Sequence, residues 1–212
     1  YYFAIYPYTN SGTNINYKTD PVIPAANTTT QVFVAPVAAW TFDATAGSPS
    51  TPTSDPASFG DQAGTAMLYA DGTNGSSAWD QATELNAFSG TTLNDPREPG
   101  VAIAGNSYCL VGGTGNSANG KSLVFKFSMA ALENPNLTFA TRNSSTSAFT
   151  THQWAWSIDG TSFTDFGTNT APTSSTFSSR SLDMSAINDL DGATTVYLRL
   201  TFSGSTSATA NN

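Results

Sequence analysis

From Lys121 onward the chain alternates between apolar and polar side chains with a period of two. Leu123, Phe125, Phe127 and Met129 fall on one face of an extended segment, and Val124, Lys126 and Ser128 fall on the other. The same rhythm sets Leu137 and Phe139 against Thr138 and Ala140, and Trp154, Trp156 and Ile158 against Gln153, Ala155 and Ser157. It returns in Val196, Leu198, Leu200 and Phe202 against Tyr197, Arg199 and Thr201. Successive side chains of a strand point to opposite faces, so this pattern specifies antiparallel sheet with one face buried and one wet. The connections ENPN, RNSSTS, DGTS and NDLDG are built from turn formers, and short strands punctuated by turns predict an all-β protein folded as an antiparallel β-sandwich. Only Asp183 to Leu190 has the makings of a helical turn, ended by Asp189 to Gly192.

Upstream, residues 36–120 hold most of the Gly and Pro, with Ser and Asp among them, around short apolar patches at Val37 to Phe42, Ala66 to Tyr69, Val101 to Ile103 and Tyr108 to Val111. Short strands joined by long loops are expected there. At the start, Tyr2, Ala4, Tyr6 and Tyr8 alternate with Phe3, Ile5 and Pro7. Thr9 to Gly12 supplies a turn, and Ile15 to Lys18 a second short strand before PVIPAANTTT leads into a polar stretch. The expected organisation is a strand pair over residues 1–30, a linker over 31–36 and one large sandwich over 37–212.

Composition narrows the function classes. Only 10% of the residues are charged, against about 25% in ordinary domains, and 32 Thr, 26 Ser, 17 Asn and 17 Gly supply the polarity instead. That surface suits an extracellular or cell-surface location. The formal net charge is -8 with no run of Lys or Arg, which argues against nucleic acid, because phosphate binding draws on clustered cations. No apolar run reaches the roughly 20 residues of a membrane-spanning helix. Cys109 and His152 are the single cysteine and histidine, too few for a zinc site or an internal disulfide.

Two resemblances extend this reading. YYFAIYPYTNSGTNINYKTD resembles the last two strands of a fibronectin type III-like domain of the kind found in modular secreted proteins of the Bacteroidetes. The succession AWTFD, KSLVFKFSM, LTFATRNSSTSAF, WAWSIDGTSFTDF, SLDMSAINDLDG and VYLRLTFSGSTSATANN resembles the jelly-roll-like accessory β-sandwich domains of proteins exported by the type IX secretion system. Such domains run past the Asn-Asn pair into one more strand, so the resemblance implies a sandwich whose last strand lies beyond Asn212. It also implies a non-catalytic module of a large secreted or surface protein, with a structural or adhesive role and neighbouring modules or other surface proteins as partners.

Several residues are candidates for chemistry or binding. Sugar recognition uses aromatic rings with amide, guanidinium or carboxylate groups. The outward set Lys126, Arg142, Gln153, Tyr197 and Arg199 offers these, as a carbohydrate-binding module attached to an enzyme would, and a merely solvated sheet face is the competing reading. Trp79 and Tyr69, read as loop residues near Asp71 and Asp80, form a second candidate rim or else anchor their loops. Trp40, Trp154 and Trp156 are assigned to the core.

Calcium takes oxygen ligands from Asp, Asn and carbonyls, and Asp189 with Asp191, or Asp159 with Asp165, could supply them; Asp43 could join a separate site to which the further strand implied by the resemblance contributes. Ordinary turn chemistry competes with this. No other cofactor is expected. His152 shares the phase of Trp154 and Trp156 and reads as a packed histidine rather than a general base. The acid pairs Asp80 with Glu84, Asp95 with Glu98 and Asp189 with Asp191 lie among turn formers, a weak basis for the paired carboxylates of a glycosidase, and motifs for acyl, phosphoryl or hydride transfer are missing. An enzyme is not expected. Sequons at Asn27, Asn74, Asn136 and Asn143 are discounted, since a Ser/Thr/Asn-rich chain produces them by chance.

Overall fold

A computed structural model describes residues 8–9, 16–17, 35–97, 100–170 and 174–212. The chain divides into two compact units, Tyr1–Val34 and Ala35–Asn212. In the first unit β1 (Tyr8–Thr9) pairs antiparallel with β2 (Asn16–Tyr17). The expected strand over residues 1–7, the turn after Thr9 and most of the expected linker lie outside the described residues.

The second unit is all-β with antiparallel sheets. Its strands are β3 (Ser54–Pro56), β4 (Met67–Tyr69), β5 (Leu85–Ser89), β6 (Asn106–Leu110), β7 (Ser122–Phe127), β8 (Asn136–Thr141), β9 (Thr151–Ser157), β10 (Thr164–Thr170), β11 (Ser178–Asp183) and β12 (Val196–Ser203). Six of them form one sheet in the order β10-β9-β12-β7-β4-β3. The opposite side is built from two separate ribbons, β11-β8 and β5-β6. The expected helical turn is a short 3-10 helix at Asn188–Leu190.

The alternation in β12 shows why this layer forms. Val196, Leu198, Leu200 and Phe202 are buried, whereas Tyr197, Arg199, Thr201 and Ser203 are not. Register then propagates the phase: Leu198 stands between Phe125 of β7 and Trp156 of β9, and Leu200 between Leu123 and Trp154. On these packs the other side of the sandwich, through Leu85 and Leu110 of the β5-β6 ribbon and Leu137, Phe139 and Leu182 of the β11-β8 ribbon. Trp154 lies at the middle, with Phe125 stacked at 6.2 Å and Phe139 tilted at 5.6 Å, spacings at which aromatic pairs add to simple burial.

Candidate functional site

The phase that buries one side of the large sheet delivers a defined set to its outer side. Lys126 stands directly opposite Tyr197 and Val124 opposite Arg199. On the next strand Ser157, Ala155 and Gln153 oppose Tyr197, Arg199 and Thr201. On the far side Tyr69 pairs with Val124 and Met67 with Lys126, while Asp165 pairs with Ala155 across the edge strand β10. Same-phase neighbours share a face, so Tyr69, Lys126, Tyr197, Arg199, Gln153 and Asp165 occupy one continuous surface. Tyr69 is thereby corrected from a loop position to a strand position on this face.

Loops frame the surface. Ser157 Oγ accepts the Gly160 N–H at 2.9 Å, and Asp159 accepts the Thr161 and Ser162 N–H groups at 2.8 and 2.7 Å. These hydrogen bonds hold the Asp159 carboxyl well below the usual carboxylate range. The resulting turn folds onto the sheet: Gly160, at φ +73°, lies so close to the Tyr197 ring that a Cβ there would stand 3.0 Å from it, and only glycine fits both demands. Phe163 then covers Arg199, whose guanidinium stands 4.1 Å from the ring centroid, and Lys126 Nζ stands 5.7 Å from the Tyr197 centroid. Both are cation–π geometries. Arg199 Nε is buried with no partner among the described residues. Gln153, by contrast, is occupied: its amide donates to the Gly167 and Trp154 carbonyls at 3.1 Å and its oxygen accepts from Thr168.

Two expected members lie elsewhere. Arg142 follows β8, in the opposite layer, where its guanidinium covers Phe177 at 5.0 Å and donates to the Ser175 carbonyl. Its outward phase was legible, but phase does not tell which layer a strand joins. Trp79 is no rim residue; it is 4% exposed, packs edge-on against Phe149 and Phe202, and donates Nε1–H to the Ser122 carbonyl at 3.0 Å.

The described members of the candidate acid pairs bond to different partners. Glu84 is buried; it accepts the Asp80 N–H at 2.7 Å and the Ser117 hydroxyl at 2.7 Å and forms an ion pair with Lys121. Burial pushes its pKa up, but Lys121 and these donors outweigh burial and leave it below the usual value. Asp80 instead accepts the Ala82 N–H in a turn. Asp95 and Asp43 both hold Arg97, the latter at 2.6 Å; Glu98 lies outside the described residues. Asp191 accepts the Asn134 N–H at 2.8 Å, and Asp189 is exposed. Among the described residues no group of three or more His, Cys, Asp and Glu side chains is placed to hold a metal ion.

His152 is 1% exposed and shares the inner face with Trp154. Its Nε2 meets Asn212 Oδ1 at 2.7 Å, and its Nδ1 has no partner among the described residues. Burial pulls its pKa down to about 4. Burial likewise pushes the Cys109 thiol up to about 12, which keeps it in the unreactive thiol form. Sequence reasoning missed the ties Glu84–Lys121, Arg97–Asp43 and His152–Asn212; their partners are far apart along the chain and follow no spacing rule.

Among the described residues no helix is long and apolar enough to cross a membrane. No protein-family model matches the chain, and no curated protein is significantly similar to it.

Proposed function

We propose that this chain is a non-catalytic module of a larger secreted or cell-surface protein, with a structural and adhesive role. The reading is supported above all by where the ionised groups go. Glu84, Lys121, Asp43, Asp95, Arg97 and Asp159 end on internal partners that tie loops to the sandwich. A catalytic pair needs two groups converging on one reacting atom with pKa values driven apart, and the carboxylates of Glu84, Asp95 and Asp159 are held ionised by cations, hydroxyls and backbone N–H groups instead. The sparse charge and abundant Thr, Ser and Asn suit an extracellular setting. The test is a panel of chromogenic glycosides, esters and peptides, with no turnover expected. Hydrolysis that disappears in Glu84→Gln while the fold is retained would overturn the proposal.

A second reading, a carbohydrate-binding module, is favoured by one observation: Tyr69, Lys126, Tyr197 and Arg199 share the outer face, with the Lys126 ammonium beside the Tyr197 ring. Rings stack on the apolar faces of sugars while cations bond hydroxyls and carboxylates, so an anionic polysaccharide fits this surface best. Titration calorimetry against alginate, pectin and a neutral glucan separates the readings. Saturable heat that is lost in Tyr197→Ala and in Arg199→Ala supports the sugar-binding role; silence across all three polymers leaves the structural one.

A further inference from the structure

The outer side of the β5-β6 ribbon gathers a set of side chains apart from both the ion pairs and the Tyr197 face. Leu85 is buried, so Asn86, one residue on, turns outward, and Phe88 shares its side. Phe88 is 40% exposed, a large ring left in water. Asn211 joins this side from the segment after β12. Its neighbour Asn212 reaches the inner-face His152, so Asn211, one residue earlier, faces the other way. The Asn211 backbone is fixed on both flanks. It forms an antiparallel bridge with Val111 after β6, and beyond β8 its N–H donates to Ser144 Oγ at 2.9 Å while its carbonyl accepts the Ser144 N–H at 2.8 Å.

Two close backbone approaches raise walls around this set. Beside β5, Ser48 donates its N–H to Asn86 Oδ1 at 3.2 Å and its hydroxyl to the Ala82 carbonyl at 2.7 Å. After β6, the Gly112 N–H donates to the Ala210 carbonyl at 3.1 Å. A Cβ on Gly112 would stand 2.1 Å from the Ser207 carbonyl oxygen, so glycine is what lets residues 207–210 close on this strand end. The result is a cleft of about 370 Å³ whose lining includes Asn86, Phe88, Val111, Thr114, Thr209 and Asn211, within the size range of small-ligand sites.

The polar groups of the cleft differ in what they leave open. Asn86 Oδ1 accepts two backbone N–H groups, those of Ser48 and, at 2.8 Å, Ala87. These bonds orient the amide and leave its Nδ2 with no hydrogen bond among the described residues. The Asn211 side-chain amide and the Thr114 hydroxyl are also unbonded among the described residues. None of the residues lining the cleft is charged, and Glu84, which lies against Gly113, is paired with Lys121.

We propose that this cleft is a binding site for a short uncharged saccharide, with Phe88 stacked on the apolar face of a sugar ring and Asn86 Nδ2, Asn211 and Thr114 bonding its hydroxyls. An exposed ring beside a few fixed polar groups is the composition such a ligand needs. An apolar ligand would take water from these three groups and return no hydrogen bond, which is costly. An anion would find no cation in the cleft and the field of a chain whose net charge is -8. A neutral sugar avoids both penalties. The site shares no residue with the cationic Tyr197 face and lies on the opposite layer, so either can fail without the other.

The test is proton–nitrogen correlation NMR of the whole chain titrated with cellobiose, maltose and mannobiose, and with glucuronate as the charged counterpart. At least one neutral sugar is expected to saturate with a Kd of about 1 mM, the scale of a small, weak ligand site. It should move the Asn86 side-chain amide signals and the backbone signals of Gly113 and Thr114. Phe88→Ala and Asn86→Asp are each expected to weaken binding about tenfold, the scale of one stacked ring or one hydrogen bond. Phe88 is exposed, and Asn86→Asp keeps the oxygen that Ser48 and Ala87 bond, so both variants should fold, as their unliganded spectra will show. Tyr197→Ala should bind as the parent does. No saturation by about 10 mM of any neutral sugar, undiminished binding in a folded Phe88→Ala or Asn86→Asp, or tighter binding of glucuronate would each overturn the proposal. Shifts confined to Val196–Ser203 and abolished by Tyr197→Ala would also overturn it, and would assign the sugar to the other face.

Discussion

Across β7, β12 and β9 each ladder position of one strand meets a partner on the next, whereas in the opposite layer β6 and β8 are linked through Asn211 and Asn212. The continuous layer is held by its own pattern: apolar residues fall inward at every second step and adjacent strands agree in phase. In the divided layer long-range polar ties carry more of the cohesion. Glu84, just ahead of β5, reaches Lys121 at the start of β7, and Arg97 in the β5–β6 connection holds Asp43 and Asp95. Asn212 gathers His152, Asn143 and Thr141. Pattern makes a sheet that assembles from any residue of the right polarity, while a tie depends on particular partners, so the two layers should fail differently when mutated.

The largest effect is expected from the continuous layer. Trp154 is 1% exposed between Phe125 and Phe139, and Trp154→Ala removes the side chain that both layers close upon. Truncating such a residue costs about 5 kcal/mol, the upper end for large-to-small core changes. That is comparable with the whole stability of many domains. Urea titration followed by far-UV circular dichroism should show a lost or greatly shifted transition. A variant within about 1 kcal/mol of the parent would mean that the centre of the sandwich is not where the alternation puts it.

The same contrast explains what could be read from the chain before its structure. β7, β9 and β12 were legible because period-two patterning over six to eight residues leaves no other element that buries their apolar face. Tyr69 was misplaced because Met67–Tyr69 is only three residues long, too short to show a rhythm. The edge strand β10, TDFGTNT, carries Gly167 and a register shift between Asp165 and Gly167, and such a bulge erases alternation. For Trp79 the sequence leaves two readings, a rim residue near Asp71 and Asp80 or a loop anchor; the packing on Phe149 and Phe202 that decides for the anchor is not revealed by sequence proximity. Of the outer-face set, Lys126, Gln153, Tyr197 and Arg199 follow from phase alone, and the misassignment of Arg142 marks where phase stops being informative.

A smaller loss is expected from breaking a tie. Lys121→Ala leaves the Glu84 carboxylate buried with the Asp80 N–H and Ser117 hydroxyl but no cation. Removing one partner of a buried pair costs about 3–5 kcal/mol, and the part-exposed Lys121 side chain, at 23%, places this case near 3. The double change Lys121→Met with Glu84→Gln should recover most of that loss, because no uncompensated charge then remains. Thermal and urea denaturation of the parent, the single and the double variant form the measurement. If the single and double variants are equally destabilised, the pair acts through packing rather than charge, and the contrast between layers loses one of its supports.

The mildest expected effect is conditional on pH and rests on His152. Burial lowers its pKa from 6.5 to about 4, helped by the Arg180 charge and opposed by the hydrogen bond to Asn212. Between these values the unfolded chain takes up a proton that the folded chain refuses. Stability is therefore complete above about pH 6.5, declines as pH falls through this window, and loses no more on this account below about 4. The whole span is worth about 3 kcal/mol, of which roughly half falls between pH 7 and 5. Glu84 has the opposite protonation chemistry but the same direction: its depressed pKa supplies stability above its ordinary 4.5 that is lost as pH falls through the folded value. The two separate above about pH 5, where only the histidine has begun to titrate. In His152→Gln, which can keep a hydrogen bond to Asn212, urea midpoints should be flat from pH 7 to 5 while the parent's fall. Parallel slopes in the two proteins would show that His152 is hydrated in the folded state, and that the inner face beside Asn212 is wetter than the rest of the sheet.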